Sequence, residues 1–383
     1  MRIAVVSESY PPNISGVAVF ARNMAIGLKN RGHDVIVCSA SPIGKPYIEY
    51  DEGIPVYRIR SIPNPVRKKF RLVVRQDRTL TKILKQFAPD IIHAQDPGGC
   101  SAAAQKFAKK NRLPIVATYH FSLPFVTAYL PFSRYIAGNF KPFIRAYCND
   151  FYNECTVITC PTETVRQDLL TQKLMPPLVV ISNGINTASD LAKIKREMPV
   201  EKDHPQLLFV GRIDEDKNLL VLLRAVPLIL AQYPIRLTIV GDGNKLSYYK
   251  RWVRQHLLES VVHFTGAVPA DSKALTKEYG DADVFVIPSR IETQSIVTME
   301  AMLAGLPVVG ARGGALPELI KHGETGLLVS PVTASAFAYA VTRLLEAPEQ
   351  GHLFGDAGRK AVQIHSIEQT LDQFVALYKS LVR

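Results

Sequence analysis

The sequence predicts an α/β chain with two Rossmann-like, doubly wound domains facing each other across a cleft. Two observations predict the class. The 383 residues are too many for one ordinary core. Short Val/Ile-rich runs also alternate with helical patterns over the whole length, as in parallel sheets covered on both faces. A third observation divides the chain: a polar, lysine-rich stretch at 190–204 separates one such series from the next.

The first series has strand-like runs at 3–7, 34–39, 56–60, 90–94, 115–119 and 157–160. Ile3-Ala4-Val5-Val6 is typical: an unbroken apolar run suits a strand buried on both faces, and Ser7-Glu8 and Pro11-Pro12 end it. Helical patterns at 17–30, 78–87, 101–110 and 165–172 follow several of these runs. The second series has strands at 207–211, 237–241, 262–265, 284–288 and 308–311, with helices at 218–232, 246–257, 296–304 and 335–346. The expected domains are 1–182 and 183–362. In such sheets ligands bind beyond the carboxyl ends of the strands, so the active site is expected where the loops of both domains face the cleft.

Composition narrows the class. Hydrophobic residues are 47% and charged residues 21% of the chain, which excludes a disordered segment. The most apolar stretch, 219–230, carries Arg224 and Pro227 and is shorter than the roughly 20 residues a membrane span needs. The N-terminal run is too short for a secretory leader. Five cysteines, Cys38, Cys100, Cys148, Cys155 and Cys160, are odd in number and form no C-x-x-C pair; they read as small buried hydrophobes in a reducing cytosol. The net charge of +12 is uneven: residues 1–180 hold 24 Lys/Arg against 12 Asp/Glu, and residues 181–383 hold 22 of each. The basic half points to an anionic partner, whether a membrane surface, nucleic acid or an acidic substrate.

Three segments of the second half read as a phosphate and ribose site. In Gly211-Arg212-Ile213-Asp214-Glu215-Asp216-Lys217-Asn218, two cations flank the loop between a strand and a helix, where they can clamp a diphosphate. The alternative is a solvated turn with Lys217 paired to Asp214 or Glu215. In the run from Pro288 to Met302, a helix opens near Ser295, and the N–H groups of Ser295, Ile296 and Val297 suit a phosphate. Glu292 lies in the preceding loop and Glu300 inside the helix, and either carboxylate can hold sugar hydroxyls. The alternative is two ordinary helix charges, although Glu300, among Met299, Ala301, Met302 and Leu303, needs a partner. In the third segment, Gly310 to Glu318, paired glycines allow close backbone approach to a ligand; Gly241-Asp242-Gly243 is a weaker version of the same feature.

The ordered set of the Glu292…Glu300 spacing, the Gly-Arg…Lys-Asn element, the early Gly16 loop and the Ser182-Asn183-Gly184-Ile185 turn resembles the retaining, GT-B-fold glycosyltransferases of family 4 over essentially the whole chain. The resemblance implies that Arg212 and Lys217 bind the donor diphosphate and stabilise the leaving phosphate, that Glu300 binds the ribose, and that Glu292 binds the donor sugar. His120, at the end of the strand 115–119, matches the family's active-site histidine; read alone, a strand-end histidine is as readily structural. Gly16 would lie near the donor phosphates. The family's C-terminal helix usually crosses back onto the first domain, which implies the same for 363–383. Two departures stand out: Asn186 where members commonly carry Asp, and Ser295 where many carry Gly.

No metal or other cofactor is expected. Asp281-Ala282-Asp283 and Asp214-Glu215-Asp216 match a D-x-D pattern superficially, but the first precedes a strand and the second lies in the clamp loop. The cationic pair can do a metal's electrostatic work on the leaving diphosphate. No carboxylate reads as a nucleophile, in keeping with same-face attack and retention.

For the acceptor, Arg67, Lys68, Lys69, Arg71, Arg75, Arg78, Lys82 and Lys85 face one acid, Asp77, with apolar residues interleaved. This suits an element lying on anionic lipid. Leu80, Ile83, Leu84 and Phe87 suit core packing, so membrane contact is expected at Arg67, Lys68, Lys69 and Arg71. Aromatic residues at 121–147, including Phe121 and Phe125, with Arg134, Lys141 and Arg145, suit a lipid interface, an acceptor groove beside His120, or a helical hairpin in the core. The segment Ile291-Glu292-Thr293-Gln294 looks like the branch that glucosylates diacylglycerol. The resulting expectation is a cytoplasmic, peripheral membrane transferase taking UDP-glucose to a lipid acceptor. The rivals are a transferase acting on a soluble sugar or on an inositol or polyprenyl lipid, and a sugar-nucleotide epimerase. A nucleic-acid binder is not expected, since no such module is readable; the oligomeric state is left open.

Overall fold

The computed structural model describes residues 1–13, 15–64, 71–74, 76–120, 137–196, 203–269 and 272–382. Two units emerge, Met1–Gly184 with Ile367–Arg383, and Ile185–Ser366. The breaks fall two residues beyond the expected boundary at 182 and four beyond that at 362.

The first unit runs β1 (Arg2–Ser7), α1 (Gly16–Asn30), β2 (Asp34–Ala40), β3 (Tyr47–Asp51), β4 (Ile54–Ile59), β5 (Ile62–Pro63), β6 (Arg71–Leu72), α2 (Asp77–Phe87), β7 (Ile91–Ala94), α3 (Gly99–Asn111), β8 (Ile115–Thr118), α4 (Ala137–Asn153), β9 (Val157–Cys160), α5 (Glu163–Leu170) and β10 (Leu178–Val180). The second runs β11 (Gln206–Val210), α6 (Leu219–Leu230), β12 (Arg236–Val240), α7 (Leu246–Gln255), β13 (Val262–Gly266), α8 (Lys273–Asp281), β14 (Val284–Ile287), α9 (Ile296–Leu303), β15 (Val308–Ala311), α10 (Leu316–Leu319), β16 (Gly326–Val329), α11 (Ala334–Glu346) and α12 (Pro348–Ala361). A last helix, α13 (Ile367–Leu381), belongs to the first unit and packs on α1.

Among the described residues the first unit carries a sheet of order β10-β9-β8-β7-β1-β2-β4-β3, parallel except for the antiparallel pair β3–β4. Side chains alternate across β1: Ala4 and Val6 join the core that holds Leu80 and Leu84 of α2 and Phe107 of α3, while Ile3 and Val5 join the core of Phe20 and Met24 of α1 with Leu371 and Phe374 of α13. The second unit has a parallel sheet of order β13-β12-β11-β14-β15-β16 with one continuous core.

Both orders reverse direction once. The chain moves outward from β1 through β2 and resumes at β7 on the other side; in the second unit it leaves β11 through β12 and resumes at β14. Crevices at such switch points, outside the strand carboxyl ends, are where open α/β sheets bind ligands. The sequence points to the loops that meet there. No helix among the described residues is long and apolar enough to cross a membrane. The five cysteines are free, four of them buried.

Candidate active site

At the switch point of the second unit, the loop after β11 meets the loop after β14. Asn218 adopts the left-handed conformation (φ 54°) at the start of α6, and its side-chain amide donates to the Pro288 carbonyl at 3.2 Å, joining the two loops. Arg212 donates through one guanidinium nitrogen to Asp214 and through the other to Asp216 Oδ2 at 2.7 Å. Lys217 does not pair with Asp214 or Glu215: its ammonium donates to Glu292 Oε1 at 2.6 Å, from a residue 75 positions away in sequence. Both partners are largely covered, with side-chain exposures of 15% and 8%. The two cations expected to clamp a diphosphate are thus set in place by acids before any ligand arrives. Asp214 also accepts from the Asn244 N–H at 2.9 Å, which fastens the loop after β12 to the same cluster.

α9 opens beside Glu292. Its first-turn N–H groups, from Ser295, Ile296 and Val297, have no partner to be found within the helix itself, and the dipole favours an anion there. The Ser295 side chain accepts from Thr298 Oγ1 at 2.7 Å and does not cap the backbone. Glu300, half-buried one turn on, receives the phenol of Tyr279 from α8 at 2.8 Å. This is the partner that a carboxylate among Met299, Ala301 and Met302 requires.

The paired glycines after β15 stand close against the protein's own backbone. Gly314 (φ 53°) lies so close to Glu292 that a Cβ there would stand 2.6 Å from that residue's backbone nitrogen and oxygen, and the Ala315 N–H donates to the Glu292 carbonyl at 2.9 Å. The loop after β15 is therefore the brace of the Glu292 loop. Gly241 has a similar office, since a Cβ there would meet the Gly211 carbonyl at 1.9 Å. The aspartates of the two D-x-D look-alikes are engaged as well: Asp281 pairs with Lys277, Asp283 accepts from the Gln206 N–H at 2.8 Å, and Asp214 and Asp216 hold Arg212. Among the described residues no group of His, Cys, Asp and Glu side chains is arranged to hold a metal ion.

In the first unit, His120 follows β8. Its Nε2 lies 3.0 Å from Gln95 Oε1, and Phe20 packs edge-on at 4.9 Å. Burial pushes its pKa down to about 3, so the ring is neutral at any physiological pH. Gly16 is the first residue of α1, next to the cap Ser15, whose Oγ accepts from the Ala18 N–H at 3.2 Å. Sequence reasoning passed over the carboxyl pair at this unit's own switch point. Glu8, after β1, accepts from the Val73 and Cys100 N–H groups at 3.0 Å each, and Asp96, after β7, accepts from the Glu8 N–H at 2.7 Å and the Gly98 N–H at 2.9 Å. Burial, with the Asp96 charge beside it, raises Glu8 to about 8, and burial raises Asp96 too. An acid within two residues of the end of each of two strand runs was the available signal. Tyr279 and Gln95 gave none, because each is defined only by what it touches across the fold.

Of the residues expected at the acceptor, Arg67, Lys68, Lys69, Phe121 and Phe125 lie outside the described residues. Arg71 is turned inward, donating to Ser61 Oγ at 2.7 Å and to the Ser61 carbonyl at 3.1 Å. α2 buries Leu80 and Leu84 and exposes Arg78, Lys82 and Lys85, which line a shallow recess with Asp77 and Thr81. α4 exposes Phe143 and Tyr147 beside Arg145.

Known proteins share this organisation. Residues 14–189 match the family described as Glycosyltransferase Family 4, and residues 191–361 the family described as Glycosyl transferases group 1. An uncharacterized glycosyltransferase of Methanocaldococcus jannaschii is 30% identical over 99% of this chain and 98% of its own length. The alpha-monoglucosyldiacylglycerol synthase of Streptococcus pneumoniae is 28% identical over 86% of this chain and 75% of its own. Sucrose-phosphate synthase from Thermosynechococcus elongatus, at 22% identity, superposes with a TM-score of 0.77 over 99% of this chain and 98% of that one. With its two parallel α/β sheets in the GT-B fold and these matches along both halves, the chain belongs to glycosyltransferase family 4.

Proposed function

We propose that the chain is a metal-independent, retaining hexosyltransferase that moves glucose from UDP-glucose to a membrane lipid such as diacylglycerol, forming an alpha-glycolipid. The observation that carries the donor half of this reading is the cluster at the β11–β14 switch point, where Lys217 bonds Glu292 at 2.6 Å beside Arg212 and the α9 N-terminus. Each member has a part. Arg212, Lys217 and the N–H groups of Ser295, Ile296 and Val297 take up the negative charge that develops on the diphosphate as the anomeric C–O bond breaks. Glu292, fixed by Lys217, receives hydroxyls of the transferred sugar, and Glu300 receives those of the ribose. His120 is a neutral hydrogen-bonding group near the transferred sugar, with Gly16 close to the phosphates. The two cations supply the charge that a divalent metal supplies elsewhere, so EDTA should leave turnover within a factor of about two; a loss that magnesium restores would reverse this point.

The lipid acceptor is supported by three observations. The excess of 24 Lys/Arg over 12 Asp/Glu lies within residues 1–180; Arg78, Lys82 and Lys85 form an exposed basic face, with Phe143 and Tyr147 exposed on α4; and a relative bears the name of a diacylglycerol glucosylating enzyme. Cations with exposed aromatics suit the headgroup layer. The test is to incubate the protein with UDP-glucose and vesicles containing diacylglycerol, following UDP release and lipid product by mass spectrometry. A hexosyl lipid is the expected result. UDP release without lipid product would keep the donor and overturn the acceptor; no UDP release would overturn the donor.

A further inference from the structure

Glu300 stands in α9 with apolar neighbours on both sides, and its orientation is set from another helix. Tyr279, on α8, is fully buried, one of two buried side chains on that helix with Leu275. Its ring leans on Phe285 of β14 with centroids 6.1 Å apart, and its hydroxyl lies 2.8 Å from Glu300 Oε2 and 3.3 Å from the Val297 carbonyl. One hydroxyl proton cannot serve both acceptors fully; the shorter contact, to the charged oxygen, is the stronger. We propose that Tyr279 is a positioning residue for donor recognition: its phenol holds the Glu300 carboxylate in the orientation that receives the ribose hydroxyls of the nucleotide. The inference rests on the assignment of Glu300 to the ribose.

The geometry gives the phenol no other task at the donor. Tyr279 is closed off from solvent, so it reaches a ligand only through Glu300. A glutamate left to itself would lose side-chain freedom when it grasped a ribose; one already held by a phenol has lost that freedom on folding, and binding is correspondingly tighter. A carboxylate has acceptor positions for more than one donor, so the phenol does not compete with the sugar for all of them. Burial and the neighbouring Glu300 charge keep Tyr279 protonated far above neutral pH, which makes it a permanent donor. The arrangement also discriminates: a hydroxyl-reading site loses most when the hydroxyl is absent.

The experiment is calorimetric titration of the full chain with UDP, GDP and ADP, and with the 2′,3′-dideoxy form of whichever binds, for wild type, Tyr279→Phe and Glu300→Gln. Thermal midpoints confirm that each variant is folded. The expected result is that Tyr279→Phe weakens the ribonucleotide about tenfold and leaves the dideoxynucleotide unchanged, so that the ratio between the two collapses toward one. Equal losses for both ligands would make the tyrosine a packing residue and overturn the proposal, as would no loss for either. If Glu300→Gln also leaves that ratio at its wild-type value, or if none of the three nucleotides binds, the ribose assignment itself fails. If Glu300→Gln collapses the ratio and Tyr279→Phe does not, the assignment stands and only the positioning role is lost.

Discussion

His93 and His120 are held neutral in the first unit while Glu8 is held toward its protonated form, and these groups pull on stability from opposite ends of the pH scale. His93, buried, and His120, half-buried, are both pushed down by desolvation to about 3 from an ordinary 6.5. The unfolded chain therefore binds their protons more readily between those values, and stability falls as pH drops from about 6.5 toward 3. Glu8, raised by burial and by Asp96 from 4.5 to about 8, binds its proton more readily in the folded state, so stability falls as pH rises from about 4.5 toward 8. Thermal midpoints measured from pH 4 to 9 should peak near neutrality and decline on both sides. Glu8→Gln should flatten the alkaline decline whatever its effect on the absolute midpoint. A midpoint that climbs steadily to pH 8 would show that Glu8 titrates as an ordinary carboxyl. At this scale the sequence was legible in part. Arg212, Lys217, Glu292 and Glu300 stand out by type and order along the chain. That Lys217 would choose Glu292 was hidden, because the partner lies 75 residues away and only the switch-point geometry brings the two loops together.

Helix α13 shows how one element is fastened. Leu371, Phe374 and Tyr378 fall on one face, and all are buried. Leu371 fits against Gly27 of α1, where a Cβ would come within 2.2 Å of it, and Arg31 bonds Asp372 at 3.1 Å. At the centre, the Tyr378 hydroxyl meets His93 Nδ1 at 2.5 Å, and the other ring nitrogen meets Thr118 Oγ1 at 2.6 Å. Tyr378→Phe leaves one buried nitrogen of His93 without its partner, a loss of about 1–3 kcal/mol. Calorimetry should show the melting of the first unit lowered and that of the second unchanged; an unshifted first unit would mean that water replaces the phenol. Elements with a strong period, α1 among them, were readable in the sequence, whereas α13 was expected only through the family resemblance. Those missed had a physical reason for being faint. β3 pairs antiparallel at the sheet edge, with Ile48 and Tyr50 exposed, so its apolar side chains do not report burial. α12 contains Gly351, Gly355 and Gly358, which argue against a helix; Gly355 is there because a Cβ would strike the Gly305 carbonyl at 2.1 Å. α8 buries only Leu275 and Tyr279, too few to stand out as a stripe, and so the residue that holds Glu300 went unnoticed.

Over the whole molecule, the division of charge is the feature most easily read from composition and the one with the plainest test. Two sets of neutralised residues separate the candidate contacts: Arg67, Lys68, Lys69 and Arg71 in one variant, Arg78, Lys82 and Lys85 in the other. At about 1 kcal/mol per cation near an anionic surface, whichever set forms the contact should weaken binding to phosphatidylglycerol vesicles when neutralised, by roughly 1,000-fold for the set of four and roughly 100-fold for the set of three, and added salt should reduce wild-type binding in the same way. Sedimentation with vesicles decides between them, and two unaffected variants would send the contact to α4. Composition announced the asymmetry but not its orientation: Arg71 turns inward to Ser61, whereas Arg78, Lys82 and Lys85 face solvent. The division into units also imposes a schedule on the newborn chain. The second unit is continuous, Ile185–Ser366, whereas the first needs Ile367–Leu381 to cover its face of Phe20, Met24 and Leu28. At roughly 5–20 residues per second, the ribosome takes on the order of 10–40 seconds to pass from one part of that unit to the other. For that interval the earlier-made part of the unit waits with an uncovered apolar face, and the helix that closes it emerges only after the whole of the second unit.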